Sequence, residues 1–331
     1  MTKTSAVGAR GGRAAVLVGV DGSVSAQGAL SWAAAAAASR RCPLRIIHTF
    51  MLPLLGNAPD MTAVGDLTLQ LRSAAEWILA EAETYARDIA PNIGITRELF
   101  IAGAAPTLLS QAQDAELVVV GSRGIGGFRG LLVGSVSAAV AAHAPCPVVV
   151  VHPHRSGTAF PSFPTGRVVV GVDGSEVSAA AIRFAYAEAV RRHVGVTAVH
   201  AVPPNRQHLP LRVPAHVAEQ VEQQLFAAAM ESKGVLLSGM DVEMKLVHAH
   251  PAQALIDESE AAELVVAGSH GHGGFAGMLL GSISQAVLQH AACPVAVVRP
   301  HRTGSAKSWS ATRPSLQITT PNRRTELKEL P

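Results

Sequence analysis

Lysine is rare in this chain. There are five in 331 residues, Lys3, Lys233, Lys245, Lys307 and Lys328, and the pair Gly-Lys never occurs. That absence excludes a P-loop, whose lysine must follow a glycine-rich turn to reach a phosphate. The fingerprint G-x-G-x-x-G is missing too, because Gly124-x-Gly126-x-x leads to Arg129. A Rossmann dehydrogenase therefore has no support. Aromatic residues make up 4% and charged residues 15%, so Ala, Val and Leu must fill the interior. Cysteine is scarce and odd in number. Cys146 and Cys293 each precede Pro-Val at the start of an apolar run, and Cys42 stands apart. This argues for reduced, buried thiols in a cytoplasmic protein rather than a disulfide framework, with a redox role as the alternative. No secretory signal is visible. The first apolar run, Ala14 to Val20, stops at Asp21-Gly22, and the alanine run Ala33 to Ala38 falls far short of a membrane span.

The net charge of +3 is carried by the ends. Residues 1–13 hold Lys3, Arg10 and Arg13 with no acid, and residues 301–331 hold six basic residues against Glu326 and Glu329. Subtracting +3 and +4 from the total of +3 leaves the body at −4. A body of that sign has no general attraction for nucleic acid. The basic tail reads as solvated and disordered, with contact to nucleic acid or lipid as the alternative.

What the chain does have is a plan used twice. Residues 1–13 read as a disordered start, 14–152 as one domain, 153–165 as a linker holding Pro153, Gly157, Pro161 and Pro164, 166–300 as a second domain, and 301–331 as the tail. Val168-Val-Val-Gly-Val-Asp-Gly-Ser175 repeats Leu17-Val-Gly-Val-Asp-Gly-Ser23, and His290-Ala-Ala-Cys-Pro-Val295 repeats His143-Ala-Pro-Cys-Pro-Val148. Repeats of this length are tandem domains, not solenoid units.

In the first copy, strands are expected at Ala15–Val20, Leu44–Phe50, Ile95–Ala102, Glu116–Val120 and Pro147–Val151. Helices are expected at Ser25–Arg41, Leu67–Ile89, Ala105–Asp114 and Ser135–His143, with a long loop over 51–66. Leu71, Ala75, Ile78 and Ala82 set the buried stripe of the second helix. Trp32 and Trp77 are expected in the core, and His48, His200, His143 and His290 in packing or capping roles. Strands of continuous Val, Ile and Leu alternating with helices imply an α/β fold: two tandem, doubly wound, five-stranded parallel sheets. Ligands of such sheets bind at the carboxyl ends of the strands where the order reverses. The informative ends follow strands 1 and 4, which gives the order 3-2-1-4-5. Strand 5 then lies at an apolar edge in each copy, so the two domains are expected to pair through their fifth strands. A homodimer of the whole chain is a further expectation.

The stretch after strand 4 carries the chemistry. Gly121-Ser-Arg-Gly-Ile-Gly-Gly127 leads to Gly134-Ser-Val-Ser137, and Gly268-Ser-His-Gly-His-Gly-Gly274 leads to Gly281-Ser-Ile-Ser284. A glycine-rich loop opening onto a helix N-terminus lets backbone N–H groups converge on an oxyanion. The spacing G-x2-G-x9-G-S, with Val-Gly-Val-Asp-Gly-Ser on strand 1, resembles the ATP-binding branch of the universal stress protein family in its tandem form.

That resemblance implies a Rossmann-like fold of the adenine nucleotide alpha hydrolase-like type and one ATP per domain, with or without magnesium. It implies that Asp21 and Asp173 contact the adenosine part, and that Gly19 and Gly171 give the ligand room beside strand 1. Residues Gly121, Ser122, Arg123, Gly124, Ile125, Gly126 and Gly127 would wrap ribose and phosphates. So would Gly268, Ser269, His270, Gly271, His272, Gly273 and Gly274 in the second copy. Gly134, Ser135, Val136 and Ser137, with Gly281, Ser282, Ile283 and Ser284, would supply hydroxyls and helix-start N–H groups. His270 replaces Arg123, so the second site holds less permanent positive charge.

Other readings stay open on the residues alone. Asp21 and Asp173 fit plain Asp-Gly turns. His270 and His272 suggest a metal pair but lack a third ligand. The resemblance implies a regulatory protein in stress or growth arrest, not a metabolic enzyme. Its rivals are a phosphoryl- or adenylyl-transferring enzyme, which would need charge clamps and a base, and an interaction module with empty loops.

Overall fold

A computed structural model describes residues 14–51, 61–125, 132–152, 166–203, 240–271 and 280–300. Strand β1 (Ala15–Gly19) ends in the turn Asp21-Gly22-Ser23. Gly22 has φ of +83°, a conformation that suits glycine, and its counterpart Gly174 has +82°. The Ser23 side chain then accepts from Ala26 N–H at 3.1 Å and starts α1 (Val24–Arg40). Ala29, Ala33 and Ala37 are fully buried in α1. Their small side chains let the helix lie close to the sheet. The first half continues with β2 (Leu44–Phe50), α2 (Met61–Ile89), β3 (Ile95–Ile101), α3 (Ala104–Gln111), β4 (Ala115–Gly121), α4 (Ser135–His143) and β5 (Val148–Val151).

The second half runs β6 (Arg167–Gly171), α5 (Glu176–Arg192), β7 (Val196–Ala201), β8 (Val242–Val247), α6 (Pro251–Glu258), β9 (Ala262–Gly268), α7 (Ser282–His290) and β10 (Val295–Val298). Within each half the strands are parallel, and the order is β3-β2-β1-β4-β5 in the first and β8-β7-β6-β9-β10 in the second. The two five-stranded sheets join as one sheet of ten strands. The seam is the antiparallel pair β5–β10, with Val150 opposite Val295, Val149 opposite Ala296 and Val148 opposite Val297.

Alternation along each strand splits the core into two layers. Val16, Val18, Val149 and Ala296 face α1, α2 and α5, while Leu17, Val118, Val148 and Val297 face α3, α4, α6 and α7. The seam is therefore packed on both sides. His152 Nε2 donates to Leu288 O at 2.7 Å, and the Arg299 guanidinium donates to Ala142 O, so each half reaches into a helix of the other. The Arg192 guanidinium lies over the Trp32 ring, 5.1 Å from its centre.

Three expectations need correction. Helix α2 begins at Met61, not Leu67, so the loop after β2 is shorter than its Pro and Gly content suggested. The third helical segment is α3 plus a tight 3-10 turn at Ala112–Asp114, not one helix to Asp114. Trp77 is 66% exposed. It stands about 200° around α2 from buried Ala75, on the face opposite the stripe that also holds Leu79, Ala82 and Ala86. Trp32 is buried as expected. His143 and His290 end α4 and α7 at exposed positions, where His143 Nδ1 donates to Ala139 O at 2.8 Å. The expectations for 1–13, 153–165 and 301–331 lie outside the described residues, and no helix among the described ones is long and apolar enough to cross a membrane.

Candidate functional site

The carboxyl ends of β1 and β4 part the helices of the first half, and a cavity of about 320 Å³ opens there. Its floor is Gly19, Val20 and Gly121, and one side is the start of α4, from Gly134 to Ser137. Asp21 stands between the two. Its Oδ1 accepts from Ser23 N–H at 3.0 Å, and its Oδ2 accepts from Ile125 N–H at 2.9 Å. Asp21 thus closes its own turn and also tethers the loop after β4. Gly124 is where the loop passes that carboxylate, since a Cβ there would collide with Asp21 Oδ2. The second half repeats this: Asp173 Oδ1 accepts from Ser175 N–H at 2.9 Å, and a Cβ on Gly271 would sit 2.6 Å from Asp173 Oδ2.

Helix α4 starts without a side-chain cap at Gly134, so the first N–H groups of the helix face the cavity. Gly134 N–H itself donates to Ser122 O at 2.7 Å, and Gly281 N–H donates to Ser269 O at 2.7 Å. The loop is thereby folded back onto the helix start in both halves. Unpaired N–H groups and the positive end of the dipole make this the anion-binding part of the cavity.

Several of the expected ligand residues also do structural work. Ser122 is fully buried, and its N–H donates to Val151 O at 2.7 Å, which ties the loop to the seam strand. Ser269 is equally buried and bonds Val298 O at 2.8 Å. The Ser137 hydroxyl donates to Gly121 O at 2.6 Å, and Ser284 donates to Gly268 O, so neither hydroxyl proton is directed at a ligand. Ser135 and Ser282 are exposed and remain the hydroxyls at the helix starts. Val136 and Ile283 offer backbone while their side chains pack on the core. Gly121 is set by packing as well: a Cβ would lie 2.7 Å from the Ser25 backbone, and one on Gly268 would lie 2.8 Å from Val177 Cγ1. A Cβ on Gly19 would meet Leu108 at 3.0 Å, and one on Gly171 would meet Leu255 at 3.0 Å. Arg123 and Ile125 are exposed at the cavity mouth. Gly126, Gly127, His272, Gly273 and Gly274 lie outside the described residues.

Other wall residues carry no sequence signal. Thr49 and Ile47 come from β2, Ala104 and Leu108 from α3, and none has a motif around it. Ser25 is a further omission. Its Oγ accepts from Arg123 N–H at 3.2 Å, which holds the loop against α1. His48 and His200 were readable as recurrent and prove to be braces. Each donates from Nδ1 at 2.7 Å to the carbonyl just before the aspartate, Val20 O and Val172 O.

Among the described residues no cluster of three His, Cys, Asp or Glu is placed to hold a metal. Each Asp21 oxygen accepts one N–H and keeps a further lone pair toward the cavity. Cys42 and Cys293 are buried as expected, whereas Cys146 is only half-buried. Burial pushes Cys146 and Cys293 up to about 12 and raises Cys42 as well.

The profile of the Universal stress protein family matches residues 13–152 and again 164–299. The chain belongs to that family. It is a tandem member with two family domains. A universal stress protein of Mycobacterium tuberculosis is 33% identical over 291 residues, 87% of this chain and 97% of its own length. One of Mycobacterium bovis is 35% identical over 288 residues, 86% and 96% of the two chains. A solved universal stress protein of Archaeoglobus fulgidus shares the fold, with a TM-score of 0.62 at 20% identity over 86% of this chain and 98% of that one.

Proposed function

We propose that each half of this universal stress protein binds ATP and that occupancy, not turnover, is its working output. The observation that carries the reading is the pairing of an uncapped helix start with an aspartate across one cavity of about 320 Å³. A triphosphate fits the N–H groups of Ser135, Val136 and Ser137, which lie where the dipole favours negative charge. A carboxylate is the wrong group to face phosphate but the right acceptor for ribose hydroxyls or an adenine amino group. The apolar walls, Val20, Ile47 and Leu108, suit a purine ring. The site thus offers donors for the anion and an acceptor for the nucleoside in one cavity.

The same site is poor in the parts that fast phosphoryl transfer uses. Arg123 is the cation at the mouth of the first cavity, and the described wall residues include no lysine and no carboxylate besides Asp21. Any magnesium that arrives with ATP would be held chiefly by the phosphates. A regulatory output also has a route: the Ser122 bond to Val151 O links the phosphate loop to the seam strand. A role in signalling under stress or growth arrest rests on membership of the family.

The deciding experiment is mass spectrometry of small molecules released from the denatured purified protein, followed by calorimetric titration of the emptied chain. ATP in the released fraction and a stoichiometry near two are expected. No released nucleotide and no heat with ATP would reject the reading. Steady-state turnover well above about 1 s⁻¹ would put an enzyme in its place.

A further inference from the structure

We propose that Ser25 is a positioning residue for the phosphates of ATP in the first half: it fixes the backbone at Arg123 and so sets the direction of the next N–H, that of Gly124. The inference rests on the reading that the first cavity binds ATP.

Ser25 stands two residues past the N-cap of α1 and is 5% exposed. A serine at a helix start ordinarily bonds backbone within its own turn, as Ser23 does with Ala26 N–H. Ser25 reaches further. Its Oγ accepts from Arg123 N–H at 3.2 Å and donates to Val151 O at 3.5 Å, partners 98 and 126 residues away. The Ser23 hydroxyl donates to Arg123 O at 3.4 Å. Both backbone groups of Arg123 are therefore held by the start of α1.

The consequence falls on Gly124. Its N–H shares a peptide with Arg123 O, and in a trans peptide the two groups point in opposite directions. Drawing Arg123 O toward Ser23 thus turns Gly124 N–H away from α1. The neighbouring donors are all taken: Ser122 N–H by Val151 O, Arg123 N–H by Ser25 Oγ and Ile125 N–H by Asp21 Oδ2. Gly124 N–H has no partner among the described residues. Gly124 lines the cavity, and its nitrogen is 4.0 Å from a Cβ built on Gly134, at the uncapped start of α4. The loop thereby adds one donor to those of the helix start, and Ser25 holds it ready before ATP arrives.

Packing alone does not call for a hydroxyl here. In the second half Val177 fills the place of Ser25. A Cβ on Gly268 would lie 2.8 Å from Val177 Cγ1, as one on Gly121 would lie 2.6 Å from Ser25 Oγ. The same strand, loop and helix are built around a valine. What the serine adds is its bonds to the loop and to the seam strand. A neutral hydrogen bond that keeps a loop in its bound form is worth about three- to tenfold in an equilibrium constant. That factor applies to ligands with phosphate and not to the nucleoside alone.

The test is calorimetric titration of three full chains, each carrying Gly271→Val so that the first site is read by itself: one otherwise unaltered, one with Ser25→Val and one with Ser25→Ala. Each is titrated with ATP, and with adenosine in competition against ATP. Ser25→Val should weaken ATP about three- to tenfold and leave adenosine unchanged. Ser25→Ala should do the same, and it decides the matter where the larger side chain disturbs the fold. Unchanged ATP affinity would show that water replaces the hydroxyl, and equal losses for ATP and adenosine would show a structural role alone. Either result would overturn the inference and leave the ATP site in place. Absence of ATP binding by the chain with Ser25 intact, and by the parent, would remove the nucleotide reading and this inference with it.

Discussion

The Arg40 guanidinium and the Glu188 carboxylate form an ion pair buried on both sides, with side chains 2% and 0% exposed, across the junction of the two halves. The surrounding charges are nearly symmetric. Arg40 lies 3.4 Å from Glu116, and its counterpart Arg192 lies 3.9 Å from Glu263. Glu188 breaks the symmetry, because the matching residue in the first half is Ala36. One carboxylate thus bonds both Arg40 and Arg192, with Arg191 at 3.3 Å. Two first halves joined in the same way would bring Arg40 to Arg40 without that acid. Two second halves would bring two such acids together. The charge pattern therefore matches a first half to a second half, which the apolar seam strands alone do not specify.

Glu188→Ala should cost about 3–5 kcal/mol of stability, the usual range when one member of a buried pair is removed. Burial already pulls the Arg40 guanidinium below its ordinary value, and Glu188 is the main group opposing that pull. Without it the cation is left in the core with Glu116 alone near its Nε. Urea denaturation of parent, Glu188→Ala and Glu188→Gln measures the effect. A loss under about 1 kcal/mol for the alanine variant would mean that water or another acid takes the place of the pair.

Gly124→Val and Gly271→Val should each abolish one ATP site and leave the fold. The valine Cβ would displace the aspartate, Asp21 or Asp173, that tethers the loop, and its methyls would fill the space beside the helix start. Calorimetric stoichiometry should fall from two to one for either variant, with an unchanged circular dichroism spectrum. A stoichiometry that stays at two would deny these glycines their place at the site.

Much of this was legible in the sequence because strands and loops leave strong local signals. Runs such as Val118-Val119-Val120 identify buried parallel strands, and the repeated glycine spacing marks where their carboxyl ends converge. What was hidden depends on partners distant in sequence. Trp77 reads as part of an apolar helix face, but its helical phase relative to Ala75 points it outward. Ser137 reads as a ligand group, yet its hydroxyl donates to Gly121 O, and Ser122 ties the loop to Val151 through its backbone N–H. Leu108 shapes the cavity from a helix that carries no motif. Glu188 is one acid among 24 Asp and Glu residues until Arg40 is placed beside it.

Val149→Lys with Val297→Lys should open the junction. Val149 and Val297 are buried on opposite faces of the sheet, one facing the α1 and α5 layer and the other the α4 and α7 layer. A lysine at either point is too deep to keep its ammonium in water while β5 and β10 stay paired. Each half retains its own four other strands and their helices. Small-angle scattering should show the particle change into two separately moving lobes at unchanged chain mass. A profile identical to the parent, with the fold intact, would mean that the β5–β10 pair does not hold the halves together.

Mild acid should weaken the same junction through His152. Burial, chiefly, depresses the folded value of this imidazole below its ordinary 6.5, and the Arg123 charge acts in the same sense. The Leu288 and Cys293 backbone pulls the other way without offsetting it. Nδ1 has no hydrogen-bond partner in its buried position. As pH falls through the ordinary histidine range the unfolded chain takes up this proton and the folded chain does not. Stability from this residue is therefore complete above about pH 6.5 and declines below it, until pH reaches the folded value. His152→Gln keeps a side-chain donor in reach of Leu288 O and removes the titration. Urea midpoints at pH 7.5 and 5.5 should fall further for the parent than for His152→Gln. Equal falls in the two proteins would show that His152 takes up its proton in the folded state as readily as in the unfolded one.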